Sequence, residues 1–198
     1  MSEAWRLFIA LELPPDVLKA ITRVQSRFED MLPERAIRWV RPQGIHLTLK
    51  FLGDAPPEQL DDLNAALVGA AAGRQAFRLG VEGVGCFPNT QRPRVMWLGV
   101  VGDLKPLRAL QAGVEEHIAP LGYPPDKRGF SPHLTLGRAR RNAGRDALAT
   151  VGQLVETEEV GRLADWQVTS VSLIRSQLKP GGAVYTQVGE AGLETPGG

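Results

Sequence analysis

The sequence holds one cysteine, Cys86, among 198 residues. That excludes an intramolecular disulfide and a cysteine-rich zinc site, and it fits a reducing compartment. A charge excess is also missing: 23 basic residues stand against 22 acidic ones, for a formal charge of +1. Proteins that coat long nucleic acids carry a strong basic surplus, so only a grip on a short terminus stays open. No apolar run approaches the roughly 20 residues of a membrane span. The apolar stretch from Trp5 to Leu13 is short, carries Arg6 and Glu12, and lacks a basic lead-in. It reads as a strand and not as a signal peptide. A soluble, cytoplasmic protein is expected. Histidine is scarce as well, with three in the chain: His46, His117 and His133.

What is present is ordinary globular material. The hydrophobic share of 43% and the length suffice for one substantial core, or for one domain of two lobes. Trp5, Leu7, Ile9, Leu11 and Leu13 recur at the strand period of two. Pro14-Pro15-Asp16 stops that strand and starts a helix carrying Val17, Ile21, Val24 and Phe28. A short strand at 37–40 and a turn at 41–44 lead to a strand from Ile45 to Leu52, ended by Gly53. Pro56-Pro57-Glu58 opens a second helix with Leu60, Leu63 and Leu67 on one side. A strand at 77–81 runs into a loop at Cys86 to Asn89, and another strand covers 94–100. Leu107, Leu110, Val114 and Ile118 line a third helix. After a Pro/Gly-rich connection at 122–129 come a strand from Pro132 to Arg138 and a polar helix from about Asn142. Two last strands, 168–176 and 183–188, are joined through Lys179-Pro180-Gly181-Gly182. The order β-α-β-β-α-β, then much the same again, predicts an α+β fold of two related lobes of split-βαβ type. One domain over 1–192 and a disordered tail at 193–198 are expected.

The duplication is sharp at one place. His46-Leu47-Thr48-Leu49 and His133-Leu134-Thr135-Leu136 are identical, and each opens a strand after a Gly/Pro-containing loop. In a strand, residues i and i+2 share a face. His46 and Thr48 therefore stand side by side, with Leu47, Leu49 and Phe51 on the face that buries; His133 and Thr135 repeat the pattern. An imidazole exchanges a proton near neutral pH, and a threonine hydroxyl donates to a phosphoryl oxygen. Two such strands face to face supply a general base and a general acid on opposite sides of a phosphorus, as in-line displacement requires. The threonines hold the non-bridging oxygens. A lone His-x-Thr in a strand is usually structural. Two identical copies holding two of the three histidines favour catalysis. His117 lies late in the third helix and is given no role. No carboxylate or cysteine stands at a spacing that would complete a metal site around either motif.

These residues resemble the 2H phosphoesterase superfamily, and within it the RNA 2′,3′-cyclic phosphodiesterases also called 2′-5′ RNA ligases. The resemblance extends to Arg6-Leu7-Phe8-Ile9-Ala10-Leu11, to Lys50-Phe51-Leu52-Gly53, to Arg92-Pro93-Arg94-Val95-Met96-Trp97-Leu98-Gly99, and to Leu173-Ile174-Arg175-Ser176 with Pro180 to Tyr185. It implies a bilobal fold with two antiparallel sheets, helices on the outer faces, and a central cleft holding both motifs. It also implies opening of a 2′,3′-cyclic phosphate on an RNA end to a 2′-phosphate, with ATP-independent, reversible 2′-5′ joining as a related reaction. No metal or cofactor is needed, and no partner chain is expected, so a monomer is anticipated. His46 is assigned as the acid toward the ribose O3′ and His133 as the base toward water. Arg138 is a phosphate-binding candidate if a bend at Gly137 returns it to the face of His133. Lys50 shares the face of His46 by parity, Phe8 could stack on a base, and Tyr185 and Ser176 flank the final hairpin. Arg140, Arg141 and Arg145 extend a basic cluster beside Arg138. Two competing readings are the same chemistry on small cyclic nucleotides or 2′,5′-oligoadenylates, and a non-catalytic module that binds RNA ends.

Overall fold

The computed structural model describes residues 3–127, 129–179 and 182–195. Strand β1 (Trp5–Leu11) is apolar on both faces, and from Leu7 onward every residue is buried. That pattern suits a strand flanked on both sides. β1 pairs antiparallel with β3 (Leu47–Ala55) and with β8 (Ser170–Lys179), and β9 (Gly182–Gly192) completes a four-stranded sheet in the order β3-β1-β8-β9. The second sheet has five strands: β2 (Ile37–Trp39), β6 (His133–Ala139), β5 (Val95–Gly102), β4 (Phe77–Phe87) and β7 (Ala164–Val168), adjacent in that order.

The two halves of the chain exchange strands between these sheets. β4, which closes the first half, pairs with β5 of the second; β8, which comes from the second, pairs with β1 of the first. Each sheet then has the same local order: a His-x-Thr strand, its neighbour, and a strand contributed by the other half. A repeat in sequence has become a pair of matching lobes that do not correspond to the two halves of the chain.

Helices cover the sheets on their outer sides. Pro15 occupies the first turn of α1 (Pro15–Met31), where a missing N–H costs nothing. The helix buries Val17, Ile21, Val24 and Phe28, and fully burying side chains of this size contributes about 1.5–3 kcal/mol each. α2 (Leu60–Ala71) and α3 (Leu104–Ile118) pack together, α2 also against β9 and α3 also against β3. α4 (Arg145–Thr157) packs on β4. One hydrophobic core joins both sheets and the helices. A separate small cluster, Phe8, Ala10 and Ile174 with Tyr185 against it, lies on the opposite face of the first sheet.

Four local expectations change. β3 does not end at Gly53, which takes φ +76° where Leu52 bulges out of the pairing with β1, and the strand continues to Ala55. β4 runs through Cys86 and Phe87, which pair with Met96 and Val95, so these residues are strand and not loop. β7 is an additional strand, hidden in the sequence because only Thr169 separates it from β8. The start of the expected disordered tail is held in place: Leu193 is buried, its N–H donates to Thr169 O at 2.8 Å, and the N–H of Glu194 donates to Arg74 O at 2.8 Å. A leucine docked on the core holds that segment. Residues 196–198 of the expected tail, and Pro180 and Gly181 of the expected connection, lie outside the described residues.

Candidate active site

His46 directly precedes β3 and His133 opens β6, and Cα atoms of β3 and β6 approach within 8 Å of each other. Each imidazole is oriented by a carbonyl two residues upstream. His133 Nδ1 lies 2.7 Å from Ser131 O, and His46 hydrogen-bonds to the Gly44 backbone. An Nδ1–H donated to Ser131 leaves Nε2 of His133 for proton transfer. Among the described residues, neither the Thr48 nor the Thr135 hydroxyl has a hydrogen-bond partner. Both remain available to an anion.

The two histidines have different surroundings. Phe8 stacks on His46 with ring centroids 4.6 Å apart, and Tyr185 meets both edge-on, at 5.3 Å from His46 and 5.5 Å from Phe8. Burial pushes the His46 pKa down to about 4, and the bond to Gly44 offsets this only in part. His133 is met edge-on by Phe87 at 4.9 Å, and its bond to Ser131 sits at exposed surface.

Strand parity breaks one residue after each threonine, in the same way in both motifs. Ala10 pairs with Thr48 and Ile9 with Lys50, so Leu49 is an extra residue. Trp97 pairs with Thr135 and Met96 with Gly137, so Leu136 is its counterpart. Each β-bulge reverses the alternation beyond it. The second is held by its surroundings: Leu136 O accepts from Val40 N at 2.8 Å and from Gln25 Nε2 at 2.9 Å.

These bulges rearrange the candidates. Arg138 pairs with Val95, two residues from the partner of Thr135, and therefore shares the face of His133 and Thr135. It is exposed and stands directly across from exposed Arg38 of β2, a residue the sequence did not single out. Gly137 permits this close pairing, since a Cβ there would sit 2.4 Å from Ile37 Cγ2. Lys50 leaves the cleft face. It is buried, donates to Glu115 of α3, and donates to Pro124 O at 2.9 Å. Phe51, expected in the core, is 64% exposed and pairs with Phe8. Phe8 is on the cleft face, but it is 2% exposed and covered by His46, so it has no free surface for a base. Tyr185 is half-buried against His46, and Ser176 pairs beside it without a side-chain hydrogen bond among the described residues. Arg140, Arg141 and Arg145 follow the end of β6 and are exposed. His117 lies between helices, its Nδ1 2.9 Å from Gly113 O and its ring over Gly69. A shared offset was the available clue to Phe51: it follows His46 by as many residues as Arg138 follows His133.

Among the described residues no group of three His, Cys, Asp or Glu converges to hold a metal ion, and no helix is long and apolar enough to cross a membrane.

Comparison with known proteins matches this architecture. An RNA 2′,3′-cyclic phosphodiesterase from Thermus thermophilus is 36% identical over 186 residues, covering 91% of this chain and 86% of its own. One from Methanothermobacter thermautotrophicus is 32% identical over 183 residues, covering 92% of this chain and 96% of its own. Among solved structures, Escherichia coli LigT complexed with 3′-AMP superposes with a TM-score of 0.76 at 28% identity, covering 96% of this chain and 99% of that one. The family described as LigT like Phosphoesterase matches twice, over residues 11–97 and 98–185, with one His-x-Thr motif in each match. With both halves matched and a paired-motif cleft between its sheets, the chain belongs to the LigT-like phosphoesterase family.

Proposed function

We propose that the protein opens the 2′,3′-cyclic phosphate of an RNA end to a 2′-phosphate, using His46 as general acid and His133 as general base. The observation that carries the reading is the presence of two identical His-x-Thr units, one in each sheet, each followed by the same bulge. The relatives named as RNA 2′,3′-cyclic phosphodiesterases, and the 3′-AMP complex of the Escherichia coli protein, support the substrate class.

In the proposed step, His133 Nε2 takes a proton from water while the water oxygen bonds to phosphorus. The P–O3′ bond breaks on the far side, and His46 gives its proton to O3′. The products are a 2′-phosphomonoester and a free 3′-hydroxyl. Thr48 and Thr135 donate to the non-bridging oxygens, and Arg138 supplies a two-pronged positive charge to them. A 5′-hydroxyl in place of water would yield the 2′-5′ linkage by the same route, run in reverse for cleavage. Every group named belongs to one chain, so the scheme calls for no partner subunit, metal or cofactor.

The surroundings of the two histidines support this assignment. O3′ is part of the nucleoside, and the attacking group is water. The aromatic enclosure of His46 by Phe8 and Tyr185 suits the nucleoside side, and the exposed position of the His133–Ser131 bond suits the entry of water. An imidazole with a pKa of about 4 is uncharged near neutral pH in the free protein. An acid role for His46 therefore needs the anionic phosphate beside it, which raises its proton affinity on binding.

The test is to incubate pure protein, with EDTA, and a short RNA ending in a 2′,3′-cyclic phosphate, and to map the product. The expected product carries a 2′-phosphate, and single alanine substitutions at His46 and His133 each lower the rate by about 10²–10⁴-fold. Absence of turnover, or full activity in both variants, rejects the scheme.

A further inference from the structure

Among the described residues three polar side chains are buried: Gln25, Lys50 and Ser172. Burying a polar group is costly unless its hydrogen bonds are made, so the partners of each matter. Gln25 sits on α1 among the buried apolar positions Ile21, Val24 and Phe28. Its Nε2 donates at 2.8 Å to Val40 O and at 2.9 Å to Leu136 O. The amide nitrogen carries two hydrogens, and these bonds use both. Leu136 O also accepts from Val40 N at 2.8 Å, which fills both of its lone pairs.

Each carbonyl belongs to a residue two positions from an arginine of the cleft face. Leu136 is the extra residue of the β6 bulge, and Arg138 owes its place beside His133 and Thr135 to that bulge. A bulge leaves ladder groups unpaired; here the freed carbonyl is taken by Val40 and by α1. Val40 directly follows β2, which is three residues long and carries Arg38 opposite Arg138. Like charges directly across a strand pair repel, and so short a strand has few ladder bonds to resist them. The Gln25 amide ties the two strands together just past that pair, from the helix and not from the cleft.

We propose that Gln25 is a positioning residue. By fixing the β6 bulge it holds the Arg138 guanidinium on the face of His133 and Thr135, ready for a phosphoryl oxygen. It touches no substrate and acts through Arg138 alone. The proposal rests on the phosphate-binding role proposed for Arg138. Glutamine suits the task, since methionine of similar length has no donor and asparagine is one carbon short. Glutamate would set acceptor oxygens against two carbonyls.

The test is a double-mutant cycle in kcat/KM on the cyclic-phosphate RNA, using Gln25→Met, Arg138→Met and the pair. Urea midpoints define conditions under which all four proteins are folded. Gln25→Met is expected to lower kcat/KM about 10- to 100-fold, as misplacing a binding group by about 1 Å can. The loss does not exceed that of Arg138→Met, and in the Arg138→Met background Gln25→Met costs no further activity. Gln25→Asn, a smaller disturbance of the core, follows the same cycle with a smaller loss and carries the test should Gln25→Met not fold. A general loosening of the fold would instead lower the rate by the same factor in both backgrounds. Equal factors, or no loss with Arg138 present, overturn the proposal. If the wild-type protein turns over no cyclic-phosphate RNA, the proposed activity fails and the same cycle is read in equilibrium affinity for inorganic phosphate. A loss of affinity that Gln25→Met causes only while Arg138 is present upholds the positioning role. An equal loss in both backgrounds, or none, overturns it.

Discussion

Phe8 lies nearly flat against His46, with ring centroids 4.6 Å apart and ring planes 27° from parallel. Burial, to which this stack contributes, pushes the His46 pKa down to about 4. Replacing Phe8 with leucine keeps an apolar core residue but opens one face of the ring. The His46 pKa is then expected to rise toward 6.5, as read by an NMR pH titration of its imidazole resonances. An unchanged titration would assign the depression to other parts of the site.

The same burial makes stability depend on pH. Folded protein keeps His46 neutral down to about pH 4, whereas the unfolded chain protonates it near 6.5. Between those values the unfolded state binds more protons, so stability rises with pH and is lost as pH falls from 6.5 through 4. The full displacement corresponds to roughly 3 kcal/mol. Urea midpoints of wild type and His46→Leu, measured from pH 7 to pH 4, should diverge in slope, with the wild type falling more steeply. Parallel curves would contradict the depressed pKa.

Lys50 and Glu115 form an ion pair between β3 and α3, with the lysine buried. Removing one partner strands the other's charge, so Lys50→Met is expected to cost about 3–5 kcal/mol in urea denaturation. The double variant Lys50→Met, Glu115→Leu should recover most of that loss, because two apolar groups need no partner. Additive losses in the double variant would argue against coupling.

Arg38 and Arg138 face each other across β2 and β6, both exposed and without an ion pair among the described residues. Like charges directly opposed in a sheet are unfavourable. Arg138→Met should therefore stabilise the free protein by a few tenths of a kcal/mol. In the same variant kcat/KM should fall about 10- to 100-fold, the worth of a charge-assisted hydrogen bond. Arg138→Lys should keep the repulsion yet recover only part of the rate, since an ammonium lacks the planar fork. A variant that loses both stability and activity would mark Arg138 as structural.

Much of the site was legible because the two motifs are short, identical, and hold two of only three histidines. The apolar positions of α1 and α3 were legible too, since Val17, Ile21, Val24 and Phe28, and Leu107, Leu110, Val114 and Ile118, recur at the helical period and are buried. The exchange of β4 and β8 between the sheets left no such trace. Pairing between distant strands is decided by which apolar faces meet, and each strand's own composition is compatible with several neighbours.

Beyond the threonines the sequence loses its hold on direction. Parity alone places Lys50 with His46 and sends Phe51 into the core, while the structure reverses both. For Arg138 the glycine at 137 hinted at an irregularity, which falls one residue earlier, at Leu136; Leu49, before Lys50, offers no such hint. By itself, then, the sequence determined the repeated motif, the residue types of the chemistry and the order of most elements. The tertiary structure decided which side chains share the cleft with the histidines. A bulge is a property of two strands in register, created when the partner strand skips a residue, and it cannot be read from one strand alone.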